Sequence, residues 1–174
     1  MDASSIDSAA RILGVDPGLN VTGYGVLAIE APEPRLCEAG VIRTTPRASL
    51  AVRVAEIYQG LSEVIATFQP NVMALEQLFS VYKHPRTAIL MGHARGVICL
   101  AAAEVGIPVV HYAATRVKKA LTGNGRAPKA QMQRAVCNEL RLDRLPEPHD
   151  VADALAIALC HYHSLATRHA LAGG

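Results

Sequence analysis

No uninterrupted apolar run in this 174-residue chain approaches the roughly 18 residues that a membrane-spanning helix needs. The segment Met1–Ala10 contains Asp2 and Asp7 and no apolar stretch, so no secretory leader is expected there. Cysteine is also sparse. Cys37, Cys99, Cys137 and Cys160 lie far apart and form no Cys-x-x-Cys pair. That argues against the disulfide frameworks of small secreted domains and the close ligand spacing of zinc modules. Reduced, mostly buried thiols in a cytoplasmic protein are the expectation. The nearest approach to a metal motif is Cys160-His161-Tyr162-His163. On a helix its two histidines point about 200° apart, so packing and surface roles are expected for them.

Acid is missing where base is concentrated. From Lys83 to Arg134 nine Lys and Arg residues face one acid, Glu104, a local balance of +8. The rest of the chain holds eight basic and fourteen acidic residues, a balance of −6. The formal total of +2 hides this split. Such asymmetry along a chain hints at a partner more strongly than the total does. With 51% hydrophobic and 18% charged residues, the chain has the composition of a folded protein rather than a disordered one. A single domain over residues 11–168 is expected, with flexible tails at 1–10 and 169–174.

Periodicity divides that domain. Arg11–Asp16 is an apolar, β-like run closed by Pro17-Gly18-Leu19-Asn20. Thr22–Glu30 and Leu36–Thr44 continue in strand style, so the first third reads as an antiparallel meander. Over Arg47–Phe68 the apolar residues Leu50, Val54, Ile57, Leu61, Ile65 and Phe68 recur at helical spacing. A short buried strand over Val72–Gln77 follows, then a helix over Pro85–Val105 stopped by Gly106 and Pro108. Pro108–Tyr112 is a fifth strand. Helices are expected over Thr115–Leu121, Pro128–Leu140 and His149–His169, with Pro128 at a first helical position. The Thr122-Gly123-Asn124-Gly125 turn and the Arg141–Pro148 loop separate them. A meander followed by alternating helix and strand makes a mixed α/β sheet of five strands flanked by helices.

Four acids fall in unusual places. Asp16 ends the first strand, and Glu76 ends the fourth behind the apolar Val72-Met73-Ala74-Leu75. Asp150 and Asp153 open the last helix three residues apart, on one face. A carboxylate at the end of a central strand is expensive to desolvate without cations or donors. If the two strands are neighbours and the helix lies over them, the four acids form a dense cluster. Hard oxygen ligands that leave room for water and phosphate suit Mg²⁺ or Mn²⁺. Each residue also has a plainer reading. Asp150 could cap the helix and Asp153 could favour its positive end. Asp16-Pro17-Gly18 could be a turn, and Glu76 a surface acid.

Four segments, in this order and spacing, resemble the RuvC family of bacterial Holliday junction resolvases. They are Gly14-Val15-Asp16-Pro17-Gly18 with Thr22-Gly23-Tyr24-Gly25, Ala74-Leu75-Glu76-Gln77-Leu78-Phe79, Gly92-His93-Ala94-Arg95-Gly96, and Asp150-Val151-Ala152-Asp153-Ala154-Leu155-Ala156. The resemblance spans roughly Arg11 to His163. It implies a ribonuclease H-like fold and a catalytic tetrad of Asp16, Glu76, Asp150 and Asp153. It further implies paired, symmetric nicks in a four-way DNA junction during recombination and repair. The chemistry would use two divalent ions, about 3.5–4 Å apart. Asp16 would bridge them, Glu76 and Asp153 would each hold one side, and Asp150 would complete one ion or orient the water.

The resemblance also places Lys118 and Lys129 at DNA, with Lys119 and Arg126 beside them. Gly123 and Gly125 would let backbone N–H groups approach phosphate. Phe79 would stack on a base near the junction centre, although a core aromatic would look the same. Affinity should be largely electrostatic and salt-sensitive. A two-fold substrate and paired nicks call for a homodimer. Ala88, Gly92 and Gly96 form a small-residue stripe at spacing four that suits close approach, either to the chain's own sheet or to a twin. A branch-migration motor of the RuvA–RuvB type is the implied further partner. Three competitors share features: an actin-like ATPase, a ribonuclease H-like RNA-processing nuclease, and a junction-binding module without activity. The ATPase needs two such domains to enclose nucleotide, and 174 residues leave no room for them.

Overall fold

A computed structural model of the chain describes residues 10–30, 32–78 and 85–172. Its elements are β1 (Arg11–Asp16), β2 (Val21–Ala28), β3 (Arg35–Arg43), α1 (Leu50–Phe68), β4 (Val72–Glu76), α2 (Pro85–Glu104), β5 (Val109–Tyr112), α3 (Ala114–Thr122), α4 (Lys129–Glu139) and α5 (His149–Ala172). The sheet order is β3-β2-β1-β4-β5. Short connections make β1, β2 and β3 an antiparallel meander. Helical crossovers make β4 parallel to β1, and β5 parallel to β4. The mixed five-stranded sheet flanked by helices is the architecture expected from the sequence.

Strand alternation sorts the core into two layers. Leu13, Val15, Met73 and Leu75 face α1 and α2, where they meet Ile57, Leu61 and Ile98. Ile12 and Ala74 face the other way, toward α3, α4 and α5, with Val117, Met132, Leu155 and Leu159. β1 is buried on both faces, which is why it reads as a continuous apolar run. α5 lies unusually close to the sheet. A Cβ on Gly14 would come within 2.2 Å of the Ala154 carbonyl oxygen and 2.8 Å of Ala158 Cβ. Glycine on the strand and alanine on the helix together set this spacing.

Some boundaries differ from the periodicity reading. α1 starts at Leu50 rather than Arg47, because Arg47 has φ 65° and Ser49 caps the helix by accepting from the Val52 N–H. Pro128 is not the first helical residue. Its ψ of 158° is extended, and it stands one position before α4 as the cap. α5 continues past His169 to Ala172, since Ala170-Leu171-Ala172 are good helix formers and Gly173 is the first residue that breaks the pattern. The fourth strand ends at Glu76, as its sequence indicates.

The side chains of Cys160, His161 and His163 have separate surroundings. Cys160 is buried, His161 shares a 2.7 Å hydrogen bond with the Tyr112 hydroxyl, and His163 pairs with Glu139 at 2.6 Å. The Ala88–Gly92–Gly96 stripe does not face the chain's own sheet. α2 buries Ala94, Ile98, Ala101 and Ala102, whereas a Cβ on Gly92 or Gly96 would meet nothing within 4 Å. Ile89 (63% exposed) and Leu100 (49%) share that outward strip. No helix among the described residues is long and apolar enough to cross a membrane.

Gly14→Ala tests the seating of α5. Its Cβ meets backbone, which cannot rotate away, so overpacking should cost about 1–3 kcal/mol and lower Tm by roughly 2–12 °C. An unchanged thermal melt would contradict this packing.

Candidate active site

Asp16 and Glu76 come together through strand register. β1 and β4 run parallel with Val15 opposite Leu75, so the next residue of each strand emerges at the same sheet edge. Alternation turns both toward α5. Their carboxyl groups share a hydrogen bond. The start of α5 is brought to the same place by Gly23, which lies opposite Asp16 in β2. A Cβ there would sit 2.0 Å from the Asp150 carbonyl oxygen, so only glycine admits the helix. Asp16, Glu76 and Asp153 line a cleft of about 390 Å³, together with Pro17, Met91, Lys118 and Lys129. Asp150 does not line it; it acts on Asp16 and Asp153 from the side.

The cluster is electrostatically costly. Burial, then the charges of Glu76, Asp153 and Asp150, push the Asp16 carboxyl up from 3.8 to about 8. Burial and the Asp153 charge also raise Glu76, against the hydrogen bond from Asp16 and the cations Arg95 and Lys118. Asp153 is raised by burial and by Asp150, while Lys129, His149 and Lys118 pull it down. Without a metal ion, Asp16 and Glu76 therefore hold a proton between them at neutral pH.

A ring of backbone contacts fixes the turn after Asp16. Thr22 Oγ1 donates to the Gly18 carbonyl at 2.8 Å, and Thr44 Oγ1 donates to Leu19 O at 2.8 Å. Arg53 Nη2 adds a 3.2 Å bond to Leu19 O and a bond to Asn20 Oδ1. At the other strand end Arg95 donates to the Glu76 carbonyl oxygen. Sequence reasoning picked out neither arginine as part of the site. The signal available for Arg53 was a cation three or four positions from Leu50 and Ile57, on the helix side that is otherwise apolar.

The model of the family described as "Crossover junction endodeoxyribonuclease RuvC" matches residues 12–161. The chain belongs to the RuvC family. A protein of that name from Rhodopirellula baltica is 63% identical over 156 residues, covering 89% of this chain and 88% of the relative. The Thermus thermophilus RuvC structure superposes with a TM-score of 0.82 at 37% identity, covering 90% of this chain and 96% of the other. T. thermophilus RuvC in complex with a Holliday junction substrate superposes with a TM-score of 0.81 at 34% identity, with the same coverage. RuvC proteins are metal-dependent nucleases that hydrolyse phosphodiester bonds. Membership does not favour the RNA-processing or inactive-module alternatives.

The donor set suits the metal chemistry of a RuvC protein. All four acids offer hard carboxylate oxygens, and the burial and mutual repulsion that push Asp16 up are what a bound cation would relieve. Among the described residues no group of three or more His, Cys, Asp or Glu side chains is already gathered into a metal-ligand set, so a divalent ion here would draw on one or two carboxylates at a time, with water and phosphate oxygens as the remaining ligands.

The DNA-contact residues inferred from sequence separate into groups. Lys118 and Lys129 rim the cleft and act electrostatically on its acids. Lys119 and Arg126 are exposed outside it. Gly123 takes φ 73° and closes α3, its N–H donating to Lys119 O at 2.9 Å. That N–H is thus engaged in the cap of α3. Gly125 packs near Thr115, where a Cβ would lie 3.3 Å from its carbonyl oxygen. Phe79 lies outside the described residues.

The pH dependence of the metal-free protein follows from Asp16. Between about pH 4 and pH 8 the native state keeps a proton that the unfolded chain has released. The native state binds more protons there, so the contribution to stability is complete below pH 4 and is lost as pH rises to about 8. Asp16→Asn should flatten that slope and raise Tm at pH 8 by several degrees, at about 2–4 °C per kcal/mol. Identical melts for variant and parent between pH 5 and pH 8 would contradict the cluster's electrostatics.

Proposed function

We propose that this chain is a structure-selective endonuclease that resolves four-way DNA junctions by paired symmetric nicks in recombination and repair. One observation carries the reading: in a RuvC family member, three carboxylates line a cleft whose rim is two lysines, with a fourth acid beside it. Asp16, Glu76, Asp150 and Asp153 would hold two Mg²⁺ or Mn²⁺ ions. When bound, such ions supply an activated water and stabilise charge on the attacking and leaving oxygens.

The residues of the chain do the rest. Asp16, central to the cluster by its coupling to the other three acids, is the natural shared ligand. Glu76 and Asp153 would flank it, and Asp150, beside the cleft rather than in it, would orient a water or complete one ligand set. Lys118 and Lys129 neutralise phosphates and hold the scissile strand over the acids, while Lys119 and Arg126 extend the basic track outward. Phe79 and Gly125 remain assigned to DNA by resemblance. Two sites facing opposed strands call for a homodimer, and the outward strip Ile89–Gly92–Gly96–Leu100 of α2 is the surface offered to the twin. A branch-migration motor of the RuvA–RuvB type would deliver the substrate, in the cytoplasm.

The test uses the purified protein in Mg²⁺ with three substrates: a four-way DNA junction, a linear duplex and a structured RNA. Only the junction should be nicked, on two opposed strands. Asp16→Asn should slow nicking by about three orders of magnitude, the loss of several kcal/mol of charge stabilisation, with junction binding kept. Light scattering should give twice the 18.5 kDa chain mass. Nicking by Asp16→Asn at the parent rate, equal cleavage of linear duplex, or a monomeric mass would each contradict the corresponding part.

A further inference from the structure

Glu76 is the last residue of β4, and the sheet holds it on one side only. The register between β1 and β4 ends at Val15 and Leu75, one residue short of it. On the β5 side Glu76 lies opposite Tyr112, and the Gln77 N–H makes the final rung to Tyr112 O at 2.8 Å. A carboxylate whose place matters thus stands where strand support runs out.

Arg95 meets this end of the strand. Helical side chains lean toward the N-terminus of their helix, so a residue midway along α2 reaches back toward the strand from which α2 departs. Its Nη1 donates to the Glu76 carbonyl oxygen. Its Nη2 lies 3.0 Å from Nδ1 of His111, which sits opposite Leu75 on β5. A guanidinium only donates, so Nδ1 accepts and the imidazole carries its proton on Nε2. The rigid fork of arginine spans two acceptors on two strands at once, which a lysine ammonium does not do. Arg95 is not among the side chains that line the cleft, and both of its bonds go to the chain itself.

We propose that Arg95 is a positioning residue: by bridging the Glu76 carbonyl to His111, it fixes the strand end and hence the seat of the Glu76 carboxylate. The activity arm of the test rests on the nuclease reading above; the exchange arm does not.

Hydrogen exchange and nicking kinetics are compared for the full chain, Arg95→Ala, Arg95→Lys and Arg95→Ala/His111→Ala. In Arg95→Ala the Gln77 N–H should exchange about tenfold faster, while the Met73 N–H, bonded to Pro108 O, keeps its protection. The kcat for junction nicking should fall about tenfold with KM within about twofold. Arg95→Lys should restore part of kcat, and adding His111→Ala should change nothing further. Unchanged Gln77 exchange, a uniform loss of protection across the domain, or a raised KM with kcat kept would overturn the proposal. Should the parent chain itself fail to nick the junction, the nuclease reading falls, and the Gln77 exchange still decides the clamp.

Discussion

Carboxylates crowded into one half-buried space repel each other, and the architecture of this chain is organised around tolerating that repulsion. Asp16 takes most of the strain. Burial and three neighbouring acids push it to about 8, so at neutral pH it shares a proton with Glu76. The crowding is imposed by the fold. Parallel register brings Asp16 and Glu76 to one edge, and glycines at positions 14 and 23 let α5 settle on the sheet with Asp150 and Asp153 at its start. The two apolar layers then supply the stability that the cluster removes.

Charge is divided along the chain to match. The segment with a balance of +8 lies between Glu76 and Asp150 in sequence and folds back so that Lys118 and Lys129 stand over the acids. These lysines pull Asp153 down while remaining available to phosphate at the rim. A total of +2 conceals both functions. With divalent ions among the acids, the face presented to DNA would be more basic than the composition states. Arg95 and Arg53 have a different task, since their donors go to backbone carbonyls around Glu76 and Asp16.

Much of this was legible in the residues themselves. Alternation and helical spacing located every strand and helix, because β1 and β4 are buried on both faces and α1 carries a clean apolar stripe. The four acids stood out because each follows or opens an apolar run. What escaped was whatever depends on a partner distant in sequence. Gly14 and Gly23 read simply as strand residues, and their need for a missing side chain shows only once α5 is known to lie over them. The carbonyl partners of Arg53 and Arg95 lie far away in sequence and are seen only in the fold. The bond by which the Gly123 N–H closes α3 on Lys119 is likewise invisible in the Thr122–Gly125 turn signal. The start of α1 was missed because Arg47 carries no sign of its left-handed backbone.

Because Asp16 is raised to about 8, a divalent ion that takes its carboxylate at neutral pH must displace a proton. Calorimetric titration of Mn²⁺ into the metal-free protein at pH 7, in two buffers of different ionisation enthalpy, counts the protons displaced. With Asp16 raised to about 8, binding should release close to one proton. Binding heats that are equal in the two buffers, with no proton released, would contradict it.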